Sequence, residues 1–261
     1  MSLLNIVLII LALVFIYYLI RHFMKKNKVL SSTTSASQMQ TISASNLQGS
    51  GSGGDSSTSS TNFTYSIWIY INDWNYKYGE IKPVLGRMSK KSDSSSSSVD
   101  GLSGSGPCPL IVLGALSNNL EIFMSTFASS TSDTSPTVDD SSGQTVNRSI
   151  VNNIPIQKWV NILVSVYGKT MDIYIDGKLV KTNILEGVPK INNDADLYIT
   201  PKGGFSGYTS KLQYFSDATD PQTAYNIYLA GPGNMFSSLM SGYQIQMSIV
   251  QNGQVNGSIT I

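Results

Sequence analysis

From Trp159 to Thr182 the chain reads WVNILVSVYGKTMDIYIDGKLVKT. This stretch constrains the fold more than any other. Val160, Ile162, Val164 and Val166 alternate with the residues between them, and so do Met171, Ile173 and Ile175. A period of two puts each set on one face of an extended strand. Between the two runs Tyr167-Gly168-Lys169 reverses the chain. After the second run comes Asp176-Gly177, a two-residue turn whose positive φ angles cost little with these residue types. KLVKT then returns. The stretch reads as an antiparallel meander with one face to bury, so a second sheet must cover it.

The same signal recurs along the chain. FTYSIWIYI (63–71) places Phe63, Tyr65, Ile67, Ile69 and Ile71 on one face and Thr64, Ser66, Trp68 and Tyr70 on the other. PLIVLGAL and NLEIFMSTF are joined by Ser117-Asn118-Asn119, a hairpin signal. Later strands are ADLYIT, YTSKLQYFS and a C-terminal hairpin within 243–261, turned at QNGQ. Two Ser-rich stretches, 89–107 and 128–144, read as long surface loops, because apolar alternation resumes after each. After residue 30 one segment suggests a helix, Asp220 to Gly231, with Pro just inside its start and Gly at its end. Many short strands separated by turn signals predict an all-β sandwich or jelly roll.

The N-terminus is of another kind. Leu3 to Ile20 is apolar but for Asn5, and as a helix it spans about 27 Å, close to a bilayer core. Tyr17 and Tyr18 stand at its end, followed by Arg21, Lys25, Lys26 and Lys28, so all six are expected at the membrane interface. The basic flank predicts a single-pass anchor with everything after it on the cytosolic face. The sequons at Asn62, Asn147 and Asn256 are then unused. Residues 31–61 are rich in Ser, Thr and Gly and read as a tether. A free coil of that length separates its ends by about 30 Å. The division expected is anchor and basic flank 1–30, tether 31–61, sandwich 62–232 and a C-terminal extension 233–261.

The segment IPIQKWVNILVSVYGKTMDIYIDGKLVKT resembles the central signature of laminin-G-like domains in the concanavalin A-like lectin/glucanase superfamily, with Trp159, Tyr174, Asp176, Gly177 and Leu179 at the matching places. FTYSIWIYI is similar to that family's opening strand, and GGFSGYTSKLQYFSDATDPQTAYNIYLAGP to its closing segment. The resemblance implies a concanavalin A-like jelly-roll sandwich after the N-terminal helix. It also implies structural roles for Trp159, which packs, and for the Asp-Gly turn, which sets hairpin register. Function does not follow from this fold alone.

Several chemistries can be weighed. Glycosidases need two carboxylates flanking the scissile bond. This chain has Glu80, Glu121 and Glu186, none with a carboxylate two positions away, so no catalytic residues and no enzyme are expected. The sole His, His22, lies beside the apolar run, so the folded part holds no His base. Cys108, between two prolines, reads as a packing residue and cannot form an intramolecular disulfide. With 17 Lys+Arg against 16 Asp+Glu, no broad basic field exists for nucleic acid. The resemblance suggests Ca²⁺ as the one cofactor to consider, with Asp194 and Asp196 as candidate ligands and Asp139 and Asp140 in a second polar loop. Asp in such loops needs no metal to explain it. Trp74, Tyr76 and Tyr78, in DWNYKYGE, are candidate contacts for a partner protein or a glycan.

The layout also resembles membrane-anchored minor capsid proteins of large double-stranded DNA viruses. It implies a non-enzymatic structural protein in the virion, linking an internal membrane to shell proteins, with lipid and capsid or scaffold proteins as partners. The alternative is a membrane-anchored, lectin-like adhesion module that binds glycan.

Overall fold

The computed structural model describes residues 29–47, 61–88, 106–127, 138–140, 144–233, 246–251 and 254–260. The expected anchor, with Tyr17, Tyr18, Arg21, Lys25, Lys26 and Lys28, lies outside them. Among the described residues no helix is long and apolar enough to cross a membrane.

Two antiparallel sheets form the fold. In the first, β1 (Val29–Ser31), β14 (Ser206–Phe215), β4 (Phe63–Asp73), β10 (Trp159–Tyr167), β11 (Thr170–Ile175) and β12 (Lys178–Ile184) lie side by side, and β2 (Thr34–Ser35) also pairs with β14. The second runs β3 (Gln40–Ile42), β13 (Leu197–Ile199), β5 (Lys82–Arg87), β6 (Leu110–Leu113), β7 (Leu120–Phe127), β9 (Gln144–Val151) and β8 (Val138–Asp140). β15 (Gln246–Gln251) and β16 (Gln254–Thr260) pair with each other as a separate two-stranded sheet.

The alternation read from the sequence sets which faces meet. Phe63, Tyr65, Ile67, Ile69 and Ile71 of β4 join Val160, Ile162, Val164 and Val166 of β10 and Met171 and Ile173 of β11 in one core cluster. Leu85, Ile111, Leu120, Ile122 and Met124 of the second sheet complete it. Both turns of the meander form as expected. Asp176 and Gly177 take φ of 50° and 72°, and Gly168 takes 56°. At Gly177 the need is double, because a Cβ would stand 2.9 Å from Cβ of Tyr228.

The helix α1 (Pro221–Leu229) lies on the outer face of the first sheet. Asp220 caps it by accepting from the Thr223 amide at 3.0 Å, and Pro221 sits at its first turn. Ala224 and Ile227 bury against Leu163 and Tyr174, and Tyr228 stacks on Trp68 with centroids 5.7 Å apart. The helix expected over 220–231 is therefore present and anchored.

The tether expectation needs correction over its first half. Residues 29–47 are laced onto both sheets: β1 and β2 pair with β14, and β3 pairs with β13. Ala36 and Leu47 are buried in the core cluster. Low hydrophobicity hides this segment, because it is held mainly by backbone pairing and by polar contacts, such as Thr33 Oγ1 with Ser210 Oγ at 2.7 Å and the Ala44 amide donating to Asp196 Oδ1 at 2.9 Å. Residues 48–60 fall outside the described part. A chain starting at residue 48 should lose the edge pairing and the buried Leu47, which is worth about 2 kcal/mol by itself. Thermal unfolding of that truncation should fall clearly below that of a chain starting at residue 29. Equal midpoints would restore the passive tether.

Candidate functional site

The outer face of the first sheet divides into two halves. Toward the start of β4, α1 covers Trp68, Leu163 and Tyr174. Toward its end the face is open. There Tyr70 is paired with Tyr208 of β14 on one side and with Trp159 of β10 on the other. Residues directly opposite in antiparallel strands share a face, so the three rings form a row across three strands. Their centroids are 6.4 Å apart for Tyr70–Tyr208 and 5.7 Å for Tyr70–Trp159. The planes are tilted by 55° and 58°. Tyr208 is 49 % exposed; Tyr70 and Trp159 are half-buried. Trp159 therefore packs, as the resemblance implied, but on the outer face and against a tyrosine.

Beside Tyr208 the surface falls into an open depression of about 320 Å³. It is lined by Ser35, Ser37, Asn72, Tyr76, Ser206, Gly207 and Tyr208. Its lining offers hydroxyl and amide groups on aromatic walls, with no ionised side chain. Gly207 allows β14 to run close to β4. Its φ is 151°, and a Cβ there would overlap the Tyr70 carbonyl oxygen.

Two loops hold the depression in shape. Tyr76 donates its phenol to the Gly203 carbonyl at 3.2 Å, and Lys77 Nζ donates to the Lys202 carbonyl. Thr200 Oγ1 donates to the Gln38 carbonyl at 2.8 Å. Lys77, Thr200 and Lys202 all take left-handed backbone, with φ of 51°, 48° and 54°. Such conformations cost about 1–3 kcal/mol each outside glycine and are kept where surrounding contacts enforce them.

The sequence-derived aromatic trio is split by the fold. Tyr76 lines the depression. Trp74 packs against the core cluster, with Lys82 Nζ 4.7 Å from its ring centre. Lys82 is itself buried, which lowers its pKa through desolvation, with Glu80 opposing. Tyr78 stands apart, 62 % exposed. Tyr70, Tyr208 and Asn72 were not singled out from the sequence. The period-two alternation already put Tyr70 on the outer face, but the register that brings Tyr208 and Trp159 beside it comes from non-local pairing.

The acidic candidates have other duties. Asp196 accepts from the Ala44 amide. The carbonyls of Asn193 and Ala195, which flank exposed Asp194, accept from the Arg87 guanidinium at 3.3 and 3.2 Å. Arg87 is buried and also donates to Tyr65 Oη at 3.2 Å. A fixed cation thus takes the loop carbonyls that would otherwise be available to Ca²⁺. Asp139 and Asp140 lie on β8, paired through the backbone with Thr145 and Gln144. Among the described residues no group of three or more His, Cys, Asp or Glu side chains converges. Glu121 is engaged by Arg148 at 2.8 Å. Burial pushes the Cys108 thiol up to about 12, opposed in part by Arg87, so it is inert as a nucleophile at neutral pH.

Comparison with known proteins fits this architecture. No curated protein sequence matches the chain. Among solved structures, the receptor-binding domain of botulinum neurotoxin D is similar at 12% identity and a TM-score of 0.50, over 78% of this chain and 45% of that one. The serotype D ligand-binding domain in complex with N-acetylneuraminic acid gives 13%, 0.49, and 78% against 43%. The neurotoxin DC binding domain in complex with rat synaptotagmin II gives 15%, 0.45, and 65% against 35%. The chain thus spans less than half the length of those domains, and at such identities the likeness is one of fold. The laminin-G-type sequence profile of the concanavalin A-like lectin/glucanases superfamily matches residues 46–224, well over half of the chain. With this match over a two-sheet jelly-roll sandwich, the chain belongs to the concanavalin A-like lectin/glucanase superfamily.

Proposed function

We propose that this protein is a lectin-like module that binds carbohydrate and is held at a membrane by its N-terminal apolar segment. The observation that carries the reading is the depression beside Tyr208. Sugars present apolar C–H faces and a ring of hydroxyls. Tyr76 and Tyr208 supply aromatic surface for the first, and Asn72, Ser35, Ser37 and Ser206 supply donors and acceptors for the second. The strained loops around the depression keep it shaped without ligand, which lowers the ordering cost of binding. Binding to an immobilised glycan panel should be measured for the full chain and for Tyr208→Ala and Asn72→Ala. Loss of binding by at least tenfold in both, with unchanged thermal midpoints, supports the reading. Retention of all glycan binding by both variants overturns this site.

A second reading keeps the same anchor but makes the partner a protein shell: a minor capsid protein between an internal viral membrane and its capsid. One observation favours a linking geometry of this kind. Eight residues, 21–28, separate the apolar run from Val29. β1 then starts level with Gln213, itself beside Ser66, and runs toward the level of Tyr208 and Tyr70. The domain is thus entered at one end, and the depression stands at the other. Mapping of glycosylation at Asn62 and Asn147 in membrane-containing eukaryotic cells separates the two settings. Unmodified sequons on a protease-accessible domain favour the cytosolic-face linker. Occupied sequons protected inside vesicles favour the lectin displayed outside.

A further inference from the structure

We infer that the ligand is a linear, uncharged glycan chain lying across several sugar units, with its end in the depression and its length along the Tyr208–Tyr70–Trp159 row. This rests on the carbohydrate reading of the depression and names the ligand class of that site.

Tyr208 belongs to both features: it lines the depression and begins the row. A sugar seated in the depression therefore has, next to it, a continuous track of rings rather than a wall. The steps of 6.4 and 5.7 Å between ring centres are comparable with the advance of one pyranose unit along an extended chain. Each ring can therefore meet one unit. Aromatic rings on adjacent strands are held by backbone pairing, so the track is set before ligand arrives and little entropy is lost on binding. The track ends at Trp159. Lys158, the charge next to it, is paired with Asp176 at 3.4 Å. None of the residues lining the depression is ionised, and Lys77, the cation beside Tyr76, is engaged by the Lys202 carbonyl, so the surface a sugar meets is one of hydroxyls, an amide and aromatic rings.

The tilt adds shape. Neighbouring planes differ by 55° and 58°, more than the twist between adjacent strands supplies, so the side-chain torsions set most of the tilt. A flat ribbon-like chain cannot lie face-on to all three rings. A chain whose successive units rotate can.

The test uses the full chain in lipid nanodiscs and ladders of linear oligosaccharides, one to six units long, built of glucose (β1,3 and β1,4 series), mannose, xylose, galactose or N-acetylglucosamine, with sialylated trisaccharides beside them. Calorimetry or interferometry gives Kd at each length. The expected result is a Kd that falls at least tenfold between one unit and four in at least one neutral ladder, favouring β1,3- over β1,4-linked glucans if the glucose ladders bind. Trp159→Ala should remove most of the gain with length. Trp159→Phe, which keeps a ring, should retain it, and this guards against a folding defect. A single sugar binding as tightly as the hexamer overturns the chain inference and leaves the depression as a terminal-sugar site. Binding confined to sialylated ligands overturns the uncharged class. No binding to any carbohydrate overturns the function proposed above as well.

Discussion

Gly207→Ala should destabilise the protein by at least about 3 kcal/mol, at the severe end for a single substitution. The Cβ it adds would overlap the Tyr70 carbonyl oxygen and stand 3.2 Å from Cα of Ile71. Both are backbone atoms of a central strand, so no side chain can swing aside. Relief requires β14 to move off β4, and that pairing runs from Ser206 to Phe215 with two register shifts. It also carries β1 and β2, so residues 29–47 should loosen with it. For a domain of this size the midpoint should drop by roughly 10 °C. Gly231→Ala is the control. Gly231 also has positive φ, 70°, but open space around the missing Cβ, so it should cost only the backbone penalty, about 1 kcal/mol. Thermal unfolding of the two variants decides the matter. Equal, small losses would mean that β14 is not pressed against β4 as closely as described. Because Gly207 also lines the depression, glycan binding should fall with stability in the first variant and survive in the second.

The meander could be read from the sequence because its information is local. Alternation in 160–166 and 171–175 and the pair Asp176-Gly177 each demand one geometry, and the structure has it. β5 was not legible. KPVLGR begins and ends with a cation, yet Lys82 and Arg87 are both buried, Lys82 over the Trp74 ring and Arg87 against the distant 193–195 loop. β9 was missed for a similar cause. QTVNRSIV looks like a continuation of the Ser-rich loop, and only pairing with β7 over eight positions makes it a strand. Residues 29–47 read as a tether because polar strands at a sheet edge carry no hydrophobic signature. The site suffered from the same limit. Tyr76 was recognised as an aromatic in a loop, whereas Tyr70, Tyr208 and Asn72 become neighbours only through the β4–β14 register.

Replacing Arg87 by Met should cost about 3–5 kcal/mol, because its guanidinium satisfies three acceptors, two of them on the buried residues Tyr65 and Ala195. The Tyr65 phenol lies in the core cluster, with its pKa raised chiefly by burial and lowered in part by Arg87. The Ala195 and Asn193 carbonyls belong to the loop that leads into β13. A thioether fills similar volume but donates nothing, so all three acceptors are left without that partner. Arg87→Lys should recover only part of the loss, since a single ammonium cannot reproduce the fork that reaches both carbonyls and the phenol. No carboxylate pairs with Arg87 among the described residues, so the loop oxygens carry the role that an acid would otherwise have. The wild-type midpoint should accordingly be indifferent to millimolar EDTA or Ca²⁺. In Arg87→Met the freed carbonyls beside Asp194 and Asp196 become open to a hard cation, and added Ca²⁺ should recover some of the lost stability. A Ca²⁺-dependent wild type would show that the guanidinium does not stand in for a metal. Hydrogen exchange should localise the damage in the variant to 42–47 and 193–199, where β3 and the Ala44 amide meet this loop, while the meander stays protected.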